Sequence, residues 1–112
     1  MTFKLDSLED FALADTSSNW RVFVGDLANF IVWAEGKSAA WGTAVLAVKV
    51  GPTANGPFLE CVPAIRIGPP ASGNAVCTPL MDGRGVGYVE VSVATAEGAS
   101  EFIRLYVTGD KP

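Results

Sequence analysis

Three stretches of this chain carry an apolar side chain at every second position, and that period decides what the chain can become. In residues 43–50 the apolar set is Ala44, Leu46, Val48 and Val50. In 87–93 it is Val89, Val91 and Val93, and in 101–107 it is Ile103, Leu105 and Val107. A period of two belongs to a strand, whose successive side chains point to opposite faces. The alternate positions hold Tyr88, Glu90 and Ser92, and then Arg104, Tyr106 and Thr108. Each strand therefore has an apolar face and a wettable one, as antiparallel sheets covered on one side require.

The rest of the chain from Trp20 onward reads the same way. Residues 20–24 alternate weakly and stop at Gly25-Asp26, a turn pair. Residues 29–34 form a continuous apolar run whose shortness and β-branched and aromatic content favour a strand over a helix. Residues 51–57 are a plain turn. Residues 58–62 and 64–67 are short strands interrupted by Pro63, which cannot donate to a ladder and so marks an edge or a bulge. Residues 68–74 are a loop, 75–78 a short strand, 81–85 a turn centred on Asp82-Gly83, and 94–100 a hairpin loop. The 12 glycines and 7 prolines fall mostly between the apolar runs, as many tight turns demand. Seven or eight short strands so spaced make an all-β chain, an antiparallel β-sandwich of jelly-roll or Ig-like type. Alternation is blind to strand order, because both topologies leave the same pattern.

Residues 1–18 differ. Asp6, Glu9, Asp10 and Asp15 crowd a segment with a single lysine. Leu5, Leu8 and Phe11 recur at spacing three, which suits one face of a short helix, and Ser7 with Asp10 resembles a weak capping box. The expectation is a short helix or an extended arm over 1–18, packed on its own domain or reaching a neighbouring subunit, and a β-sandwich domain over 19–112. At 112 residues the chain is one domain. It should bury roughly 65% of its unfolded surface, enough to fold without metals or disulfides.

The chemistry of the side chains excludes more than it admits. There is no histidine. That removes a Ser-His-Asp or Cys-His arrangement and any His-ligated metal. No clustered oxygen ligands form a calcium loop. Gly83-Arg-Gly-Val-Gly87 lacks the spacing and the following helix of a dinucleotide fingerprint, and reads as a turn entering a strand. The twelve acids sit in turns or on wet faces. The chain is therefore not expected to be an enzyme or to carry a cofactor or metal. A net charge of -4 with scattered Lys and Arg argues against nucleic acid as a partner. No apolar stretch approaches the roughly 20 residues of a membrane helix. Acids occupy the place of a signal peptide's apolar core, so synthesis in the cytoplasm is expected. Cys61 and Cys77 sit in apolar surroundings and read as two small buried hydrophobes rather than a disulfide.

Of the three tryptophans, Trp33 lies in a fully apolar run and reads as core. Trp20 and Trp41 begin strands beside polar residues and fit either core or an interface rim, where Trp is over-represented. Exposed aromatics could also stack on sugar rings.

The run Trp41-Gly-Thr-Ala-Val-Leu-Ala-Val-Lys-Val-Gly-Pro-Thr-Ala-Asn-Gly-Pro-Phe58, with Gly85-Val-Gly-Tyr-Val-Glu-Val91 and Phe102-Ile-Arg-Leu-Tyr-Val-Thr108, resembles small virion proteins of tailed bacteriophages. In those, a Trp/Gly-led strand runs into a turn, here Gly51-Pro-Thr-Ala-Asn-Gly56 without the usual Asp-Gly. A later strand closes on hydrophobic-Arg-hydrophobic-x-Val-Thr. The resemblance covers residues 41–108. It implies a capsid or tail surface protein, foremost a capsid decoration (cement) protein that bridges capsomers. Its partners would be the major capsid protein or copies of itself, a trimer included, and its location the virion surface. An acidic exterior would avoid adhesion to DNA, and multivalent docking would add modest contacts into avidity. The partner-binding residues expected on this reading are Phe3, Leu5, Leu8 and Phe11 in the arm, with Trp20 and Trp41 as anchors. The rival readings are a carbohydrate-binding or adhesin-like sandwich that takes a glycan, and a phage tail, neck or fibre protein.

Overall fold

A computed structural model describes residues 2–37, 39–83 and 85–111, with the backbone alone for 2–5. Among the described residues nine strands follow one another: β1 (Thr2–Ala12), β2 (Asn19–Phe23), β3 (Asn29–Gly36), β4 (Val45–Gly51), β5 (Leu59–Ile67), β6 (Ala75–Cys77), β7 (Met81–Asp82), β8 (Tyr88–Thr95) and β9 (Phe102–Asp110). Among the described residues there is no helix. One sheet has the order β1-β9-β3-β6, with β7 also on β3, and the other the order β2-β8-β4-β5. Every pairing is antiparallel.

The pairing is nested. The first strand pairs with the last, β2 with β8, β3 with β6, and β4 with β5. These pairs fall alternately in the first and second sheet. The chain is thus a long antiparallel hairpin rolled so that successive rungs lie in opposite layers. β9 on β3 and β8 on β4 then stitch the rungs within each layer.

The two layers share one core, in a sandwich-like arrangement. The first sheet contributes Phe11, Phe30, Val32, Ala34, Ile103, Leu105 and Val107; the second contributes Val22, Leu46, Val48, Ile67, Val89, Val91 and Val93. All three period-two stretches therefore turn their apolar sets inward as their sequence requires, with Val50 at the margin, half-buried.

The acidic N-terminal segment, expected as an arm or short helix, is the edge strand β1, hydrogen-bonded to β9 of its own chain. Its spacing of three has a different cause from a helix. Leu8 lies opposite Leu105 and Phe11 opposite Ile103, so three steps on β1 match two on β9. The extra residue is a β-bulge, which resets the alternation and brings both side chains to the core side.

Sequence loops sort to two ends. At one end Glu97, in the β8–β9 connection, accepts the backbone N–H groups of Thr43 and Ala44 at 2.8 Å each and of Gly42 at 3.1 Å. This carboxylate ties down the segment leading into β4. The other end carries the β2–β3, β4–β5 and β7–β8 connections.

Candidate functional site

The end opposite Glu97 is built from three loops held against one another by close backbone approach. A Cβ on Gly83 would lie 2.5 Å from the carbonyl oxygen of Leu27, and one on Gly87 would lie 2.5 Å from that of Pro52. The N–H of Val24 donates to the carbonyl of Gly87 at 2.8 Å, and that of Gly83 to Ala28 at 3.2 Å. The glycine-rich run therefore serves contact between backbones.

Arg21 fixes the β4–β5 turn from the outer face of the second sheet. Its Nε donates to Glu90 at 2.7 Å and its Nη1 to the Ala54 carbonyl at 3.0 Å, while the guanidinium lies 4.3 Å from the centre of the Phe58 ring. Beyond that turn, Val50, Pro52, Pro57, Leu59 and Val86 line an apolar groove of about 360 Å³. Leu59 is 65% exposed on its lip. A second hollow of about 370 Å³ at the same end is lined by Ala28, Asn29, Leu80, Met81 and Asp82. Leu80 is as exposed as Leu59.

Just past Leu59 the β5 edge breaks. Lys49 pairs with Glu60 and the adjacent Val48 with Ile65, so residues 61–64 leave the ladder. Val62 projects there, 98% exposed. Pro63 thus marks both an edge and an irregularity, the two alternatives its missing N–H predicts.

The outer face of the first sheet carries a different surface. Trp33 on β3 and Tyr106 on β9 are directly opposite. Their rings lie 5.8 Å apart with planes within 6°, and the Trp33 indole N–H donates to Thr108 at 2.8 Å. Burial holds the Tyr106 phenol above its ordinary pKa, with the Glu35 carboxylate adding to the effect. In the next row Arg104 pairs with both Glu9 and Glu35, and these hydrogen bonds, Glu9 first, hold it cationic. Among the described residues no three His, Cys, Asp or Glu side chains gather where a metal ion could bind.

These positions correct several expectations. Phe11 and Trp41, expected as partner-binding residues, are core side chains, 2% and 3% exposed. The Trp41 indole N–H reaches the Ala44 carbonyl at 2.9 Å, so its polar edge is satisfied inside. Leu8 and Trp20 are half-buried against the core. The side chains of Phe3 and Leu5 lie outside the described residues. Trp33, expected in the core, shares the parity of Asn29 and Glu35 and points outward. Cys61 is half-buried and Cys77 exposed, and both are free thiols rather than buried hydrophobes. The exposed Leu59, Val62 and Leu80 went unmarked in the sequence. Only Pro63, which signals an irregular edge, hints at one of them.

The chain matches no family model and no curated protein. Among solved structures it is similar to the SPBc2 prophage-derived protein YomS, with a TM-score of 0.61 and 15% identity over 97% of this chain and 94% of that one. At that identity the likeness is one of fold.

Proposed function

We propose that this chain is a structural protein of a bacteriophage particle, and within that class a capsid decoration protein that binds the head and bridges its subunits. The observation that carries the reading is the end-to-end likeness to a prophage-derived protein, which leaves almost none of either chain unmatched. The nested pairing adds support. First with last, second with second-last, alternating between layers, is the pattern of a jelly roll, an architecture used in viral capsid domains. It favours the jelly-roll alternative over the Ig-like one.

With β1 hydrogen-bonded into its own sheet, the docking surface moves from the N-terminus to the loop end. There the apolar groove beside Leu59 and the hollow beside Leu80 are held in fixed shape by Arg21 and the glycine contacts. A preformed apolar groove such as the one beside Leu59 suits attachment without chemistry, because little ordering cost is left for the moment of binding. The partner on this reading is the major capsid protein, and the location the virion surface.

The test is co-sedimentation of the purified chain with heads of the phage that encodes it, followed by imaging of the particles. Saturable binding, with density on the head surface, is expected. Binding lost on Leu59→Asp and Leu80→Asp together would locate the contact. Density confined to the tail or neck would replace the decoration role with a tail or neck role. No association with any particle would overturn the proposal.

One observation favours a second reading, a carbohydrate-binding module: the Trp33–Tyr106 pair on the open face of the first sheet, with Arg104, Glu9 and Glu35 beside it. Aromatic rings offer an apolar surface to sugars while the charged row offers hydrogen bonds. A change of Trp33 fluorescence on titration with oligosaccharides, absent in Trp33→Ala, would support that reading over the first.

A further inference from the structure

The excursion at residues 61–64 lies outside the β4–β5 ladder. Lys49 faces Glu60 and its neighbour Val48 faces Ile65, so none of the four intervening residues has a partner on β4. Four is an even number, and alternation survives its removal. Glu60 keeps the outward side of Lys49, and Ile65 keeps the inward side of Val48.

What would remain is the strand Leu59-Glu60-Ile65-Arg66-Ile67, apolar on the core side and charged on the outer side. β5 is the last strand of its sheet, and among the described residues no strand pairs with its far side. Set against an antiparallel second copy about a two-fold axis at Ile65, this strand is complementary to itself. Glu60 falls opposite Arg66 of the second copy, and Leu59 opposite Ile67, each pair occurring twice. Opposite charges and apolar side chains directly across a ladder are its stabilising units, and a two-fold contact closes after one partner.

In the chain as it stands that complementarity is diverted inward. Arg66 donates from Nε and Nη2 to its own Glu60, both at 2.7 Å, across the base of the excursion. Above that base Val62 projects almost wholly into solvent, and Pro63 has no N–H to offer an incoming strand. We infer that residues 61–64 are a stop, which keeps a self-complementary sheet edge from pairing with the same edge of a second copy of this chain. Prolines and bulges blunt edges of this kind. The inference is independent of the proposed attachment to a phage head.

The experiment compares the natural chain with a variant lacking residues 61–64, at equal concentration, by sedimentation equilibrium and far-UV circular dichroism. The deletion variant should unfold cooperatively and show twice the subunit number of the natural chain. Adding Glu60→Arg to it, which sets arginine against arginine, should return the natural number. Adding Arg66→Glu as well should restore the doubling. A folded deletion variant with the natural subunit number would overturn the inference. So would a doubling indifferent to Glu60→Arg, since another surface would then be responsible. A deletion variant that cannot fold would overturn it too, because removal in register is its premise.

Discussion

Arg21 and Glu90 face each other across β2 and β8 with Nε and Oε2 2.7 Å apart, and the glutamate side chain is only 9% exposed while the arginine side chain is 40% exposed. The pair joins the sheet interior to the loop end, because the same guanidinium holds Ala54 and covers Phe58. Arg21→Ala leaves a nearly buried carboxylate without this partner. Its cost should be about 1–3 kcal/mol, below that of a fully buried pair because water reaches the arginine. Urea denaturation measures it, and Glu90→Gln added to Arg21→Ala should recover part of the loss. Amide exchange in residues 52–58 should quicken in Arg21→Ala, since the turn loses its anchor.

Glu97 gives a pH dependence of defined sign. The N–H groups of Thr43 and Ala44, and after them Gly42, hold its carboxyl below the ordinary range against a smaller opposing effect of burial. A group with a lowered folded pKa adds stability above its unfolded value, roughly 4.3 for Glu, and loses it as pH falls through the folded value. The natural chain should therefore exceed Glu97→Gln in urea midpoint at neutral pH. The gap should close as the solution is acidified below the ordinary Glu range. A gap constant down to strongly acidic pH would contradict the clamp.

Gly87 and Gly98 offer the same substitution in opposite settings. A Cβ on Gly87 meets the backbone of Pro52 at 2.5 and 2.9 Å, whereas one on Gly98 meets nothing within 4 Å. Gly87→Ala should cost about 1–3 kcal/mol, because backbone must shift to admit it. Gly98→Ala should be neutral or stabilising by up to about 1 kcal/mol through the unfolded chain. Thermal unfolding of the two variants separates them.

Leucine truncation should likewise split by position. Leu105 is fully buried and Leu59 is 65% exposed. Leu105→Ala should cost about 2–5 kcal/mol. Leu59→Ala should change stability by about 0.5 kcal/mol or less, so the proposed head contact can be tested with this variant in a folded protein.

Much of the fold was legible along the chain. The inward sets of β4, β8 and β9 follow from a repeat of two, which any half-covered sheet imposes. Pro63 announced the broken edge of β5, because a missing N–H acts locally. The candidate site was far less legible. Leu8 and Phe11 have helical spacing, yet a bulge opposite β9 produces it, and a bulge exists only relative to a partner strand. Trp33 sits in an apolar run and still faces out, because the run alone cannot say which parity meets the other sheet.

By itself, then, the sequence determined the all-β class, most strand positions and the side of each regular strand that seeks cover. These depend on neighbours along the chain. Only the tertiary structure decided that β1 pairs with β9, that Phe11 and Trp41 are core while Leu59, Val62 and Leu80 are surface, and that the loops gather at two ends. Those outcomes depend on contacts between residues far apart in the chain, such as Arg21 with Glu90 or Glu97 with Thr43. The energies that choose among them arise only when the two layers close on a common core.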